Sequence, residues 1–211
     1  MLEVEYKGGN SVFLTTKDNQ LVIDPSVEYL GLKMAKTNNA AFLATEKRFL
    51  DGIDVDAVQL EGPGEYEVGS FAIKGVAAQR HVDTEADGKR STLYHIEMQD
   101  IRLGVVGNID PKLSEDQLET LGIVDILIIP VGGNGYTLDA KSAASIVAQV
   151  EPKVVIPVHY ADSAVSYEVQ QESVQLFIDE LGAPVEKDTK LKLKSSASIP
   201  QTLTVYELAR S

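Results

Sequence analysis

The stretch Glu151-Pro152-Lys153-Val154-Val155-Ile156-Pro157-Val158-His159-Tyr160 moves from a polar start through an apolar run and ends on a histidine and a tyrosine. The apolar residues 154–157 do not alternate with polar ones, which is the pattern of a strand covered on both faces. Strands of that kind belong to layered α/β proteins, and in those proteins ligands and metals gather beyond the carboxyl ends of strands. His159 is therefore either a site residue or a core histidine bonded to a neighbouring loop, and its residue type leaves both readings open.

Outward from this strand, the second half of the chain alternates strand and helix. Ser114 with Gln117 three residues on forms a capping-box pattern for a helix that Gly122 stops. Residues 126–131 read as a buried strand emptying into Gly132-Gly133-Asn134-Gly135. Asp139 caps a helix to Val150 with Ala143, Ile146, Val147 and Val150 on one face. A last helix is expected over 168–181, with Val169, Val174, Phe177, Ile178 and Leu181 inward and Gly182 ending it. The first half is strand-rich: 2–6 and 11–15 flank the turn Gly8-Gly9-Asn10, and 20–23, 40–44 and 55–60 follow. Two short strands lie around 61–70, a hairpin spans 91–98 and 101–106, and terminal strands fall at 191–194 and 202–208. No linker interrupts the pattern, so residues 1–211 form a single domain with two sheets and helices outside.

The totals exclude several chemistries. There is no cysteine, so disulfides, thiolate metal sites and cysteine nucleophiles are absent. Three histidines cannot build a site that needs four or five imidazoles. A net charge of −13 repels a phosphate backbone, and nucleic acid is not an expected partner. Lys190, Lys192 and Lys194, spaced by two beyond Lys187, read as one face of a solvated edge strand. No apolar run reaches membrane-spanning length and no basic-then-apolar leader opens the sequence, so a cytoplasmic location and no membrane partner are expected.

The segments Gly9-Asn10-Ser11, Ile23-Asp24-Pro25, Glu61 to Ser70, Val106-Gly107-Asn108, Ile129-Pro130-Val131-Gly132-Gly133 and Pro152 to Tyr160 carry a family likeness in their order and spacing. Together they resemble the metallo-β-lactamase fold superfamily, in the branch of L-ascorbate-6-phosphate lactonase-like and metal-dependent hydrolase-like proteins. Gly62-Pro63-Gly64-Glu65-Tyr66-Glu67-Val68-Gly69 is the most branch-specific piece. The resemblance implies an α/β, four-layer αββα sandwich of two mixed β-sheets with helices outside, and a site at one edge between the sheets. It also implies one or two metal ions that activate water and polarise the scissile group.

The family's main ligand motif, His-x-His-x-Asp-His, follows the strand that here ends at Ala44. This sequence has Thr45-Glu46-Lys47-Arg48-Phe49-Leu50-Asp51 instead. Glu46 and Arg48 stand for the first histidines, and Leu50 and Asp51 for the Asp-His pair. Arginine stays protonated and binds no cation. Asn10 stands where the branch has histidine in Gly-His-Ser, and Asn108 where a carboxylate bridges two metals. His81 and His159 remain as metal-ligand candidates.

The expected function is that of a metallo-β-lactamase-fold protein with a degenerate metal site, acting in binding or regulation on a small molecule or protein partner, without a cofactor. The alternative is a metal-dependent hydrolase of lactonase or phosphoesterase type. It would hold zinc or another divalent metal in a reduced mononuclear site at His81 and His159, with Asp83, Asp110 or Asp162 as carboxylate. Homo-oligomerisation accompanies the resemblance. Glu46, Lys47 and Arg48 are expected to form a salt-bridged plug in the former metal space. Glu65 and Glu67, His95 and Ser163 are read as structural, and the loop 132–135 as one that lines the cleft.

Overall fold

The computed structural model describes residues 1–80 and 90–211. Strands β1 (Leu2–Gly8), β2 (Ser11–Thr15), β3 (Gln20–Ile23), β4 (Ala40–Ala44) and β5 (Val58–Glu61) open the chain. Next come β6 (Gly64–Val68), β7 (Phe71–Gln79), β8 (Arg90–Met98) and β9 (Ile101–Val105). Helix α1 (Glu115–Leu121), β10 (Ile126–Pro130), α2 (Ala140–Val150), β11 (Val154–Val158) and α3 (Val174–Leu181) alternate after that. Strands β12 (Val185–Asp188), β13 (Leu191–Leu193) and β14 (Thr204–Leu208) close the chain.

The strands form a six-stranded sheet, β13-β1-β2-β3-β4-β5, and an eight-stranded sheet, β12-β14-β11-β10-β9-β8-β7-β6. Both are mixed: β3, β4 and β5 run parallel in the first, and β9, β10, β11, β14 and β12 run parallel in the second. Side-chain alternation assigns each strand's two faces to two different cores. From β10, Ile126 and Ile128 enter the core between the sheets, while Leu127 and Ile129 enter the core beneath the helices with Ile146, Val147 and Phe177. On the other sheet, Leu14, Ile23 and Leu43 face the shared core, and Phe13, Val22 and Phe42 face outward. Met34, Leu50 and Ile53 cover that outer face, so loops and 3-10 turns supply the layer there, and the α-helices lie on the eight-stranded sheet.

The capping box at Ser114 and Gln117 is formed, and Asp139 accepts from the Ser142 N–H to start α2. Helix α3 is shorter than its sequence pattern suggests. Ser173 caps it, and the preceding backbone is used otherwise: Glu172 N–H donates to Gly132 O at 2.7 Å and Asn134 Nδ2 to Gln170 O at 2.6 Å. Val169, expected inward, is 37% exposed as a result. Strand β5 begins at Val58 rather than at residue 55, and Val55 is 89% exposed. β12, absent from the sequence reading, has one half-buried residue followed by three exposed ones, so no apolar alternation marks it. The expected lysine edge is real at β13, where Lys190 and Lys192 reach Glu3 on β1. Among the described residues no helix is long and apolar enough to cross a membrane.

Candidate functional site

The parallel strands β3 and β4 end side by side and deliver Asp24 and Thr45. Asp24 has a φ of +45°, which turns its carboxylate back onto β4. There Oδ1 accepts from the Thr45 N–H and Oδ2 from Thr45 Oγ1, both at 2.7 Å. This clamp fixes the start of the 3-10 turn Lys47–Leu50 and with it Glu46 and Arg48. Gly107, beyond β9, permits the approach of the opposite sheet: a Cβ there would sit 2.7 Å from that of Thr45. Asn108 follows it, and β11 brings His159 to the same edge.

Glu46, buried, is the centre of the cluster. Its Oε2 lies 2.9 Å from Arg48 Nε and 3.0 Å from Arg80 Nε, and Asn108 Nδ2 donates to its Oε1 at 3.2 Å. Arg48 also donates to the Tyr136 hydroxyl at 2.8 Å and stacks over Phe49, 4.8 Å from the ring centroid. Asn10 Nδ2 donates to Asn108 Oδ1 at 3.4 Å, and Asn10 Oδ1 lies 2.9 Å from His159 Nδ1. A continuous polar chain thus runs from the two guanidinium groups to His159. The imidazole is packed between Tyr167 at 4.9 Å and Tyr136 at 5.4 Å, and its buried Nε2 has no partner among the described residues.

Burial sets the protonation of these groups. The Glu46 carboxyl is raised by desolvation, against the pull of Arg48 and Arg80. Desolvation lifts Asp24 to about 7, despite the two bonds from Thr45. His159 is pushed down to about 3 by burial and by the charge of Arg48, so the ring is neutral.

Of the residues singled out in the sequence, Asn10, Glu46, Arg48, Asn108 and His159 come together. Asp51 lines the same cleft of about 930 Å³ as Glu46 and Arg48, together with Lys47, Arg90, Ser91 and Thr92. Lys47, expected in the plug, is exposed, and Arg80 takes its place. His81 and Asp83 lie outside the described residues. Asp110 accepts from the Lys112 N–H and Asp162 pairs with Arg210 at 2.6 Å, so neither carboxylate is turned to His159. His95 bonds Leu121 O and Glu97, as a structural histidine does. Among the described residues no group of three or more histidine, aspartate or glutamate side chains is placed to share a cation.

Sequence reasoning missed Asp24, Thr45, Arg80, Tyr136 and Tyr167 as members. Asp24 and Thr45 carried a usable signal, since each follows an apolar strand directly.

Residues 3–159 match the family described as the Beta-lactamase superfamily domain. The chain belongs to this superfamily. It is 28% identical over 154 residues to a UPF0173 metal-dependent hydrolase of Archaeoglobus fulgidus, covering 68% of this chain and 66% of that relative, just under two thirds of its length. A second UPF0173 metal-dependent hydrolase, from Nanoarchaeum equitans, is 21% identical over 193 residues, covering 75% of this chain and 84% of the relative. The fold matches that of a structure from Thermotoga maritima, described as a Zn-dependent hydrolase of the metallo-beta-lactamase superfamily, with TM-score 0.73 and 20% identity over 99% of this chain and all of the other. It also matches Igni18, a metallo hydrolase of Ignicoccus hospitalis, with TM-score 0.62 and 15% identity over 99% and 94% of the two chains. In this superfamily member, the edge between the sheets holds an ion-paired carboxylate, two amides and one imidazole.

Proposed function

We propose that this protein is a metal-free member of the superfamily, with its former metal pocket filled by Glu46, Arg48 and Arg80, and that it acts by binding a small molecule or protein partner rather than by hydrolysis. The carrying observation is that one carboxylate oxygen of Glu46 is held at 2.9 Å and 3.0 Å by two guanidinium groups. A divalent ion there would have to displace both cations from a buried site and sit beside Arg48. The remaining donors do not fit a two-metal centre: Asn10 and Asn108 bring no charge, and His159 offers one nitrogen. Elemental analysis of purified, dialysed protein tests the reading, with less than a tenth of an equivalent of zinc, manganese or iron expected. Stoichiometric metal that survives dialysis would sink it.

One observation favours a second reading. His159 Nε2, without a partner among the described residues, offers a free lone pair, and the relatives named metal-dependent hydrolases make a single-metal lactonase or phosphoesterase site with His81 the natural alternative. That reading expects metal-stimulated turnover of a lactone or phosphodiester, abolished by His159→Ala. A cytoplasmic location and self-association belong to the proposal as well, the second checked by light scattering.

A further inference from the structure

Among the described residues, His159 is hydrogen-bonded on one edge of its ring only. A carboxylate between two guanidinium groups accepts and does not donate. Glu46 therefore accepts from Asn108, Asn108 from Asn10, and Asn10 from His159 Nδ1–H. The direction of this relay fixes both amide orientations and the tautomer. Nε2 is left as a bare acceptor in a ring that is 1% exposed.

His159 also borders a void that Asn10 does not line, walled by Tyr29, Leu30, Tyr136, Tyr167, Glu168 and Val169. As it stands the void has no room for a water molecule, so solvent does not satisfy Nε2. Gln171, also in the wall, commits its amide to Val169 O at 2.7 Å and approaches Thr137 Oγ1 at 3.4 Å. Tyr29 and Val169 are 38% and 37% exposed, so at those two side chains the wall between void and solvent is one residue thick.

A buried polar atom without a partner in a native structure calls for an explanation. We infer that the void is a pocket for a small, uncharged aromatic molecule bearing one O–H or N–H donor, which displaces Tyr29 and Val169 and donates to His159 Nε2. Three tyrosine rings suit a flat ring, offset-stacked or edge-on. The acceptor nitrogen selects a donor, and burial disfavours a charged ligand. The inference rests on the metal-free reading, because a metal on Nε2 would occupy the same lone pair.

Phenol and toluene, rings of similar size with and without a donor, test it. Protein labelled with ¹⁵N-histidine is titrated with each, and His159→Phe assigns the resonance. Phenol is expected to move the Nε2 signal and to bind about tenfold more tightly than toluene, the worth of one net hydrogen bond. Toluene leaves the signal in place, and in His159→Phe the preference disappears. Equal binding of the two, or an Nε2 signal that phenol does not move, overturns the pocket. Should His159→Phe fail to fold, the wild-type titration decides alone. Elemental analysis of the same sample separates the two readings: stoichiometric metal brings down the metal-free reading, whereas metal-free protein that ignores phenol brings down the pocket alone.

Discussion

Two buried carboxylates, each held by two cations, stand in different parts of this molecule and titrate in opposite directions. Asp125, 1% exposed, is pushed up by burial but pulled further down by Arg102, which reaches it at 2.8 Å and 3.0 Å, and by Lys153 at 3.4 Å. Glu46, with distances as short, is raised. The difference lies in the balance between desolvation and pairing: desolvation of the carboxyl outweighs the two guanidinium groups at Glu46 and is outweighed by Arg102 and Lys153 at Asp125. The Arg102 and Lys153 side chains are 33% and 42% exposed, against 24% for Arg48 and 3% for Arg80. At Asp125 the protein solvates one charge; at Glu46 it has taken most of an ionic cluster out of water, where attraction and desolvation nearly cancel. The first arrangement is a structural tie between β9 and the start of β11. The second gathers polar groups at the edge between the two sheets.

The largest expected effect is at Glu46. Glu46→Gln leaves Arg48 without its carboxylate and is expected to cost about 3–5 kcal/mol of stability in urea denaturation. Asp125→Asn should cost less, about 2 kcal/mol, because its cations are free to turn to solvent. A smaller loss at Glu46 than at Asp125 would break the comparison.

The pH response sharpens it. Asp24 is raised from 3.8 to about 7, so the folded state binds the extra proton between those values and stability falls as pH rises through the window. His159 is lowered from 6.5 to about 3, so the unfolded state binds the extra proton and stability falls as pH drops from about 6.5 toward 3. The two oppose each other. Relative to wild type, Asp24→Asn should gain melting temperature between pH 4 and 7, and His159→Gln should lose it over the same range. Parallel curves for both variants would refute the assignment. The smallest effect is expected at the rim of the sheet: Lys74→Ala, which breaks an exposed pair with Glu65, should change stability by no more than about 0.5 kcal/mol.

The sequence made the sandwich legible because apolar runs and caps are local signals. Ser114 with Gln117, and Asp139 before its apolar face, mark their helices without help from elsewhere. Helix α3 was overextended because residues 168–172 have a usable helical pattern, but their backbone is recruited by the loop after β10, a contact that periodicity cannot register. In the site, the convergence of Asn10, Glu46, Arg48 and Asn108 was readable from their positions just after strands or turns. Arg80 was not: it opens a charged run that reads as surface, yet its side chain is inside. Tyr136 and Tyr167 were hidden for the same reason, each lying in a polar loop segment that folds back over His159.

The backbone of His159 has a φ of +50°, and its N–H donates to Gly9 O at 2.8 Å. The main chain is therefore fixed at the turn that carries the imidazole, and Asn10 with Tyr136 and Tyr167 holds the ring. For protein engineering this is an asset: one inward-facing imidazole is already positioned, and building a metal centre around it is a problem of exchanging neighbours such as Asn10, Glu46 and Asn108, with no redesign of the turn that carries it.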